Sequence, residues 1–257
     1  MNAHDHLDQL RKNIAADPDS LSAAKTRQND VFSAAITFPG SLRTYRSGSV
    51  ATRFTNHPVS DADGGLVMDR RSFPALGPEG QGELPATLVE DLRDCIRPIL
   101  KADYPDVVIK LMKRGLLIEF NEPLASGEDP TVDLVLGLNR VEGGALWIPN
   151  LDQNRWDASH PERHVQLFTT GSDGLRQTRR HVVRIAKAQV KQFVEPAVCS
   201  FNIAALAWEC ISFAEPIDAA LHRFFDYAAT ELANRLTADP AEVSPAIKVK
   251  DLSLIHI

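Results

Sequence analysis

The chain of 257 residues carries 34 acidic and 28 basic side chains, a net charge of −6 at pH 7, and 44% hydrophobic residues. This composition suits a globular protein with one large domain or two interlocked ones. The acidic balance argues against a chain whose main surface is a nucleic-acid-binding face.

The N-terminal MNAHDHLDQLRKN is polar and does not read as a signal peptide. Leu7, Leu10 and Ile14 form a weak helical stripe, broken by Asp17-Pro18-Asp19. Ser20 is expected to cap a second helix carrying Leu21, Ala24, Val31 and Ala34, ended by Phe38-Pro39-Gly40. Ser41–Tyr45 leads into a Gly48-Ser49 turn, and residues 50–60 separate that turn from Asp61-Ala62-Asp63. A Pro- and Gly-rich loop follows over residues 73–85. Residues 87–100 show helical spacing at Leu88, Leu92, Ile96 and Leu100, with a stop expected near Pro98 or Tyr104-Pro105. Two strands are expected at 107–112 and 116–120, a loop at 123–130, and a buried strand at Thr131–Leu138. Gly143–Asn150 reads as a turn with a short apolar segment, and Trp156, Ser159 and Pro161 as loop. The pattern from 162 to 236 is mostly helical. The longest charge-free apolar run, near 197–208, is too short to cross a bilayer. Cys95, Cys199 and Cys210 form no CxxC pair and cannot all pair within the chain, so a reduced, cytoplasmic setting is expected.

The stretch from Ser47 to Asp69 carries the chemistry. On a strand, the period of two puts Asp61 and Asp63 on one face. Two neighbouring carboxylates repel unless a hard cation such as Mg²⁺ neutralises them. A Gly-Ser turn just before them leaves backbone N–H groups for a phosphate. Asp133 stands alone in the apolar run TVDLVLGL, where a carboxylate is costly unless paired or bound to metal. Competing readings remain open: solvated turn aspartates at 61 and 63, and a hydrogen-bonded strand-edge aspartate at 133. An EF-hand loop fails, because the twelfth position from Asp61 is Ser72. Downstream, Arg176, Arg180, Arg184, Lys187 and Lys191 recur at helical spacing beside an apolar face of Val183, Ala186, Val190 and Val194. They form either a solvated basic face or a source of cations for a triphosphate. Ser200, at a helix start, reads as a cap or a phosphate contact. His57, His160 and His164 form no ligand pattern with the cysteines and are expected at the surface or in loops. No GxSxG, Walker A or GxGxxG motif occurs.

With these residues in order, the chain resembles the DNA polymerase β-type nucleotidyltransferases, and within them the bacterial CD-NTases, relatives of cyclic GMP-AMP synthase and oligoadenylate synthase. The resemblance rests on Gly48-Ser49, Asp61 and Asp63, Asp133, and the segments SDADGGLVMDRR, DPTVDLVLGLNR, LWIPN with RWDASHPERH, and RIAKAQVKQF with CSFNIAALAW. It covers roughly residues 20–240. One departure is Ala188-Gln189, where the family usually has an aromatic after the helix lysine.

The resemblance implies an α+β fold: a polymerase β-like core with a mixed sheet flanked by helices, a C-terminal helical lobe, and a bilobal form with a central nucleotide cleft. The expected domains are an N-terminal helix and core over 1–165 and a helical lobe over 166–251. Residues 252–257, from the unnatural-looking ending DLSLIHI, are expected to be a non-native or truncated end. Asp61, Asp63 and Asp133 would hold two Mg²⁺ ions, with Mn²⁺ as a substitute, and Asp133 would help activate the attacking hydroxyl. Gly48, Ser49, Lys187 and Ser200 would hold the donor triphosphate.

The implied activity condenses NTPs (ATP, GTP or both, with pyrimidine NTPs open) into a cyclic or short linear oligonucleotide messenger. Pyrophosphate is released, in CBASS anti-phage signalling, and an effector protein reads the product. No obligatory nucleic-acid partner and no membrane are expected. The alternatives are transfer to an RNA, protein or small-molecule acceptor, and a non-catalytic nucleotide sensor.

Overall fold

The computed structural model describes residues 3–193, 198–234 and 237–246. Val194 and residues 247–257, including the C-terminal stretch noted above, lie outside the described residues. The chain divides into two compact units. One comprises Asp17–Ala51 and Pro58–Glu162; the other comprises Met1–Ala16, Thr52–His57 and the chain from Arg163.

The first unit is built on a mixed sheet of seven strands. These are β1 (Ser41–Arg46), β2 (Asp61–Met68), β3 (Val108–Met112), β4 (Gly115–Glu119), β5 (Thr131–Asn139), β6 (Leu146–Asn150) and β7 (Arg155–Ser159). Their order is β1-β2-β5-β4-β3, with β6 pairing β5 and β7 pairing β6. Only β2 and β5 run parallel; the other pairs are antiparallel. The apolar runs that end β2 and β5, Gly64–Met68 and Leu134–Leu138, are buried, as central strands require. Helices α2 (Pro18–Ala35) and α4 (Ala86–Asp103) pack on this sheet.

Local chemistry sets the helix ends. Asp17, not Ser20, caps α2: its carboxylate accepts from the Ser20 N–H at 2.8 Å, with Pro18 in the first turn. Helix α4 does not stop at Pro98 but runs through it to Asp103. The proline removes one intrahelical bond. Burial of Leu88, Leu92 and Ile96 before it and Leu100 beyond it keeps both halves on one stripe. Residues 155–159, read above as loop, form β7 paired along its length with β6.

The second unit is helical: α1 (Ala3–Asn13), most of α5 (Pro161–Thr169), α6 (Asp173–Val190), α7 (Ser200–Cys210) and α8 (Ile217–Asn234). Its core is centred on Val182, Ala186, Ala207, Ile211 and Ala220, with Phe54 and Phe168 in tilted contact beside them. Leu7, Leu10 and Ile14 pack against this core, which explains the weak stripe of the first helix. His164 is a correction to the sequence reading. It is buried on α5, and its Nε2 lies 2.5 Å from Asp239 Oδ1, tying down the turn at 239–244. No helix among the described residues is long and apolar enough to cross a membrane.

Candidate functional site

The site begins with strand alternation. In β2, Ala62 and Gly64 are buried while Asp61 and Asp63 are half-exposed; in β5, Val132 and Leu134 are buried while Asp133 is half-exposed. The parallel register sets Asp61 opposite Thr131 and Asp63 opposite Asp133. One oxygen from each of the three carboxylates lies within 4.8 Å of the others. The strand reading of these residues therefore holds, and the turn-aspartate alternative does not.

Backbone contacts fix this cluster from behind. The Asp63 carbonyl accepts from the Ser47 N–H at 2.9 Å and from Gln28 Nε2 at 2.7 Å. Arg46 Nε donates to Gln28 Oε1 at 2.9 Å, which orients the amide. The Ser60 hydroxyl donates to Asp61 Oδ1 at 2.9 Å. Farther back, the buried Arg27 guanidinium holds the loop that feeds β5. It donates to Asp129 Oδ1 at 2.6 Å, to the Pro130 carbonyl at 2.8 Å and to the Glu122 carbonyl at 2.6 Å. The same guanidinium stacks 4.6 Å over Phe120.

Gly48 explains the Gly-Ser element. It starts the short helix α3 (Gly48–Thr52) with φ +65°, and a Cβ at this position would lie 1.7 Å from Asp63 Oδ2. Only glycine lets the chain pass so close to the carboxylate. Gly64 and Gly65 serve the packing instead: a Cβ at 64 would meet the Phe32 ring at 2.3 Å, and one at 65 would meet the Tyr45 ring at 2.3 Å. Burial, reinforced by Glu162 and opposed by Arg43, pushes the Tyr45 hydroxyl far above its usual range, so it stays neutral.

The structure thus brings together Asp61, Asp63, Asp133 and Gly48, with Ser49 as the next residue of α3. Lys187 and Ser200 belong to the helical unit. Lys187 is buried on α6 and its amine donates to the Phe54 carbonyl at 3.2 Å. Ser200 is exposed in the first turn of α7 and is not the cap. That role falls to Cys199, whose Sγ accepts from the Asn202 N–H at 3.2 Å while the Asn202 side chain accepts from the Cys199 N–H. The basic stripe is not uniformly solvated either. Lys191 is exposed, Arg180 and Arg184 are half-buried, and Lys187 is buried. Gln28 and Arg27 were missed by the sequence reading. Their signal was a polar residue inside the apolar stripe of α2.

No protein-family model matches the sequence, and no curated protein matches it. Solved structures do. The CdnE cyclic dinucleotide synthase of Elizabethkingia meningoseptica, solved with GTP and Apcpp, superposes with a TM-score of 0.66 at 13% identity, covering 98% of this chain and 95% of that one. The cyclic AMP-GMP synthase DncV of Vibrio cholerae, with nonhydrolyzable GTP, gives a TM-score of 0.65 at 15% identity, over 93% and 80% of the two chains. The CD-NTase CdnG of Bradyrhizobium diazoefficiens, in complex with GTP, gives 0.63 at 16% identity, over 89% and 76%.

The chain has the CD-NTase fold. Three carboxylates on neighbouring strands of that fold offer the hard oxygen donors a divalent cation takes. Among the described residues no His or Cys enters the cluster, whose all-oxygen donors suit a hard cation.

Proposed function

We propose that the protein is a nucleotidyltransferase that joins nucleoside triphosphates into a cyclic or short linear oligonucleotide and releases pyrophosphate, in anti-phage signalling of the CBASS type. The observation that carries this reading is the convergence of Asp61, Asp63 and Asp133 within 4.8 Å, against Gly48, on the CD-NTase fold. Mg²⁺ is the proposed ion, with Mn²⁺ as a substitute, and Asp61, Asp63 and Asp133 hold it. When bound, the metal neutralises charge on the transferring phosphate and orients it.

The protein's own groups do the rest. Gly48 and Ser49 place backbone N–H groups and a hydroxyl beside Asp63 for the donor triphosphate. Asp133 accepts the proton of the attacking ribose hydroxyl. Lys187 and Ser200 are the further triphosphate contacts in this proposal. For Lys187, this means that the amine exchanges the Phe54 carbonyl for a phosphate oxygen. The substrates are ATP, GTP or both, with pyrimidine NTPs open, and a separate effector protein reads the product.

The test incubates the full chain with four labelled NTPs and Mg²⁺ or Mn²⁺, then treats the product with phosphatase. A resistant labelled species that disappears in D61N/D63N, with the fold unchanged by circular dichroism, is the expected result. Equal turnover in D61N/D63N removes the carboxylates from the chemistry. Label appearing on an added RNA or protein would redirect the reading to acceptor modification. No turnover under any condition would favour a nucleotide sensor.

A further inference from the structure

The cationic face of the helical unit has a task that the reading above leaves unassigned. Arg184 on α6 donates from Nε to Asn56 Oδ1 at 3.0 Å and from its terminal nitrogen to the Ile14 carbonyl at 2.9 Å. Asn56 returns a bond from Nδ2 to the Arg184 carbonyl at 2.8 Å, and the His57 N–H also donates to the Ile14 carbonyl, at 3.1 Å. This knot ties together α1, the segment 53–57 and α6. All its acceptors are neutral, so the guanidinium charge is not cancelled.

Three more arginines come with the three knotted pieces. Arg11 lies one turn before Ile14, Arg53 three residues before Asn56, and Arg180 one turn before Arg184. Arg180 makes no hydrogen bond or ion pair among the described residues, and its Nε is buried without an acceptor. Asp8 pairs with Arg11 at 3.0 Å, and Asp173 pairs with Arg176 from a fully solvated position.

The crowding is visible in the ionisation of the group. Burial, then Arg53 and Arg176, lower the Arg180 guanidinium below its usual value; burial, then Arg180 and Arg11, do the same to Arg184. His181, on the same helix, is pushed down to about 4 by burial and by Arg11, Arg184 and Arg180, with Asp8 opposing. Arg53 also sits at φ +61°, a left-handed conformation that disfavours a side chain. A long cation thus stands where glycine would be less strained.

We propose that Arg11, Arg53, Arg180 and Arg184 form a binding site for a phosphate-type oxyanion. A guanidinium presents two parallel N–H groups that match two oxygens of a phosphate. Arg180 and Arg184 are half-buried with no carboxylate partner among the described residues, which is costly, and an anion held with the help of Arg11 and Arg53 relieves that cost for both. The proposal does not depend on the nucleotidyltransferase reading.

The experiment titrates the full chain by calorimetry with inorganic pyrophosphate and, separately, with ATP. Both titrations are run with EDTA at constant 150 mM ionic strength. Saturable binding to the wild type is expected, with affinity reduced at least tenfold in R180Q and in R53G. R53G is the informative variant because it relieves the left-handed backbone, so its thermal midpoint does not fall while its affinity does. In the pyrophosphate titration, loss of binding in D61N/D63N would place the anion at the aspartates and overturn the assignment.

By NMR at pH 5.5, the His181 ring is neutral in the free protein and gains protonated population on saturation with pyrophosphate. ATP binding that is tighter than pyrophosphate binding and falls at least tenfold in R180Q identifies a nucleotide as the source, and equal Arg180-dependent binding of the two identifies a free phosphate. Unsaturable uptake, or equal uptake by R180Q and R53G, means an adventitious ion only and refutes the site.

Discussion

Gly48→Ala separates backbone strain from damage to the site. A Cβ there would lie 1.7 Å from Asp63 Oδ2, 2.4 Å from Cγ and 2.7 Å from Cβ, so the carboxylate must move by more than 1 Å to make ordinary contact. A displacement of that size at reacting groups costs about 100-fold in rate. The left-handed backbone, at φ +65°, adds about 1–2 kcal/mol of destabilisation for alanine. For a chain of this length that lowers the thermal midpoint by roughly 2–8 °C. Gly82→Ala is the matched control: φ is +80° and a Cβ would meet nothing within 4 Å. Both variants should lose similar thermal stability. Only Gly48→Ala should lose NTP turnover, by about 100-fold, and Mn²⁺ affinity measured calorimetrically. Wild-type turnover and Mn²⁺ binding in Gly48→Ala would refute the placement of Asp63 in the site, as would equal losses of turnover in the two variants.

Arg27→Ala should cost about 3–5 kcal/mol, because it strands Asp129 and two carbonyls around a buried guanidinium position; urea denaturation measures this, and Arg27→Lys should recover little of it, since a single ammonium cannot span three acceptors. Burial works to raise the Asp239 carboxyl, but hydrogen bonds from His164 and the Ser244 and Ala241 N–H groups outweigh it and hold it well below the usual carboxylate range. A depressed carboxyl contributes stability above its unfolded value near 3.9 and loses it as pH falls below that value. The protection factors of the Ala241, Val243 and Ser244 amides, referred to intrinsic exchange at each pH, should therefore be high at pH 6 and fall below about pH 4. Asp239→Asn should remove about 1.5–3 kcal/mol of this protection at pH 6 and flatten the profile; an unchanged profile would clear Asp239 of the role. Burial pushes the Cys210 thiol up to about 11 and raises Cys199 as well. Iodoacetamide at pH 8 should label half-exposed Cys95 in the native protein and reach the other two only after unfolding, as mass spectrometry would show.

The sequence made the strands of the site legible because burial leaves a mark on composition. GGLVM and LVLGL are apolar runs, and the aspartates before them follow the period of two. Other features were hidden for specific reasons. Asp17 and Ser20 are both good caps, and only Pro18, which favours the first turn, tips the choice toward Asp17. Cys199 is outside the usual capping residues, so the serine beside it drew attention. Residues 155–159 alternate too weakly to announce a strand; they become one because β6 offers them an edge along its whole length. His164 could not be placed inside, since its partner Asp239 lies 75 residues away and only the fold brings them together.

The third carboxylate shows why the site could not be read from spacing alone. β2 and β5 are parallel neighbours, and a parallel pair cannot be closed by a tight turn. Here the connection is α4, β3 and β4, which take up the far side of the sheet before β5 returns to lie against β2. A residue that faces Asp63 in register must therefore come from well beyond it in sequence. What remained visible locally was a single charge in an apolar strand, which a hydrogen-bonded edge aspartate would show equally well. The register that sets Asp63 opposite Asp133 decides between the two. A slip of one residue would turn Asp133 to the helix-covered face and leave the pair at 61 and 63 without a third ligand. The burial of Val132 and Leu134 on that covered face excludes the slip. The apolar residues of β5 thus fix the position of its one carboxylate.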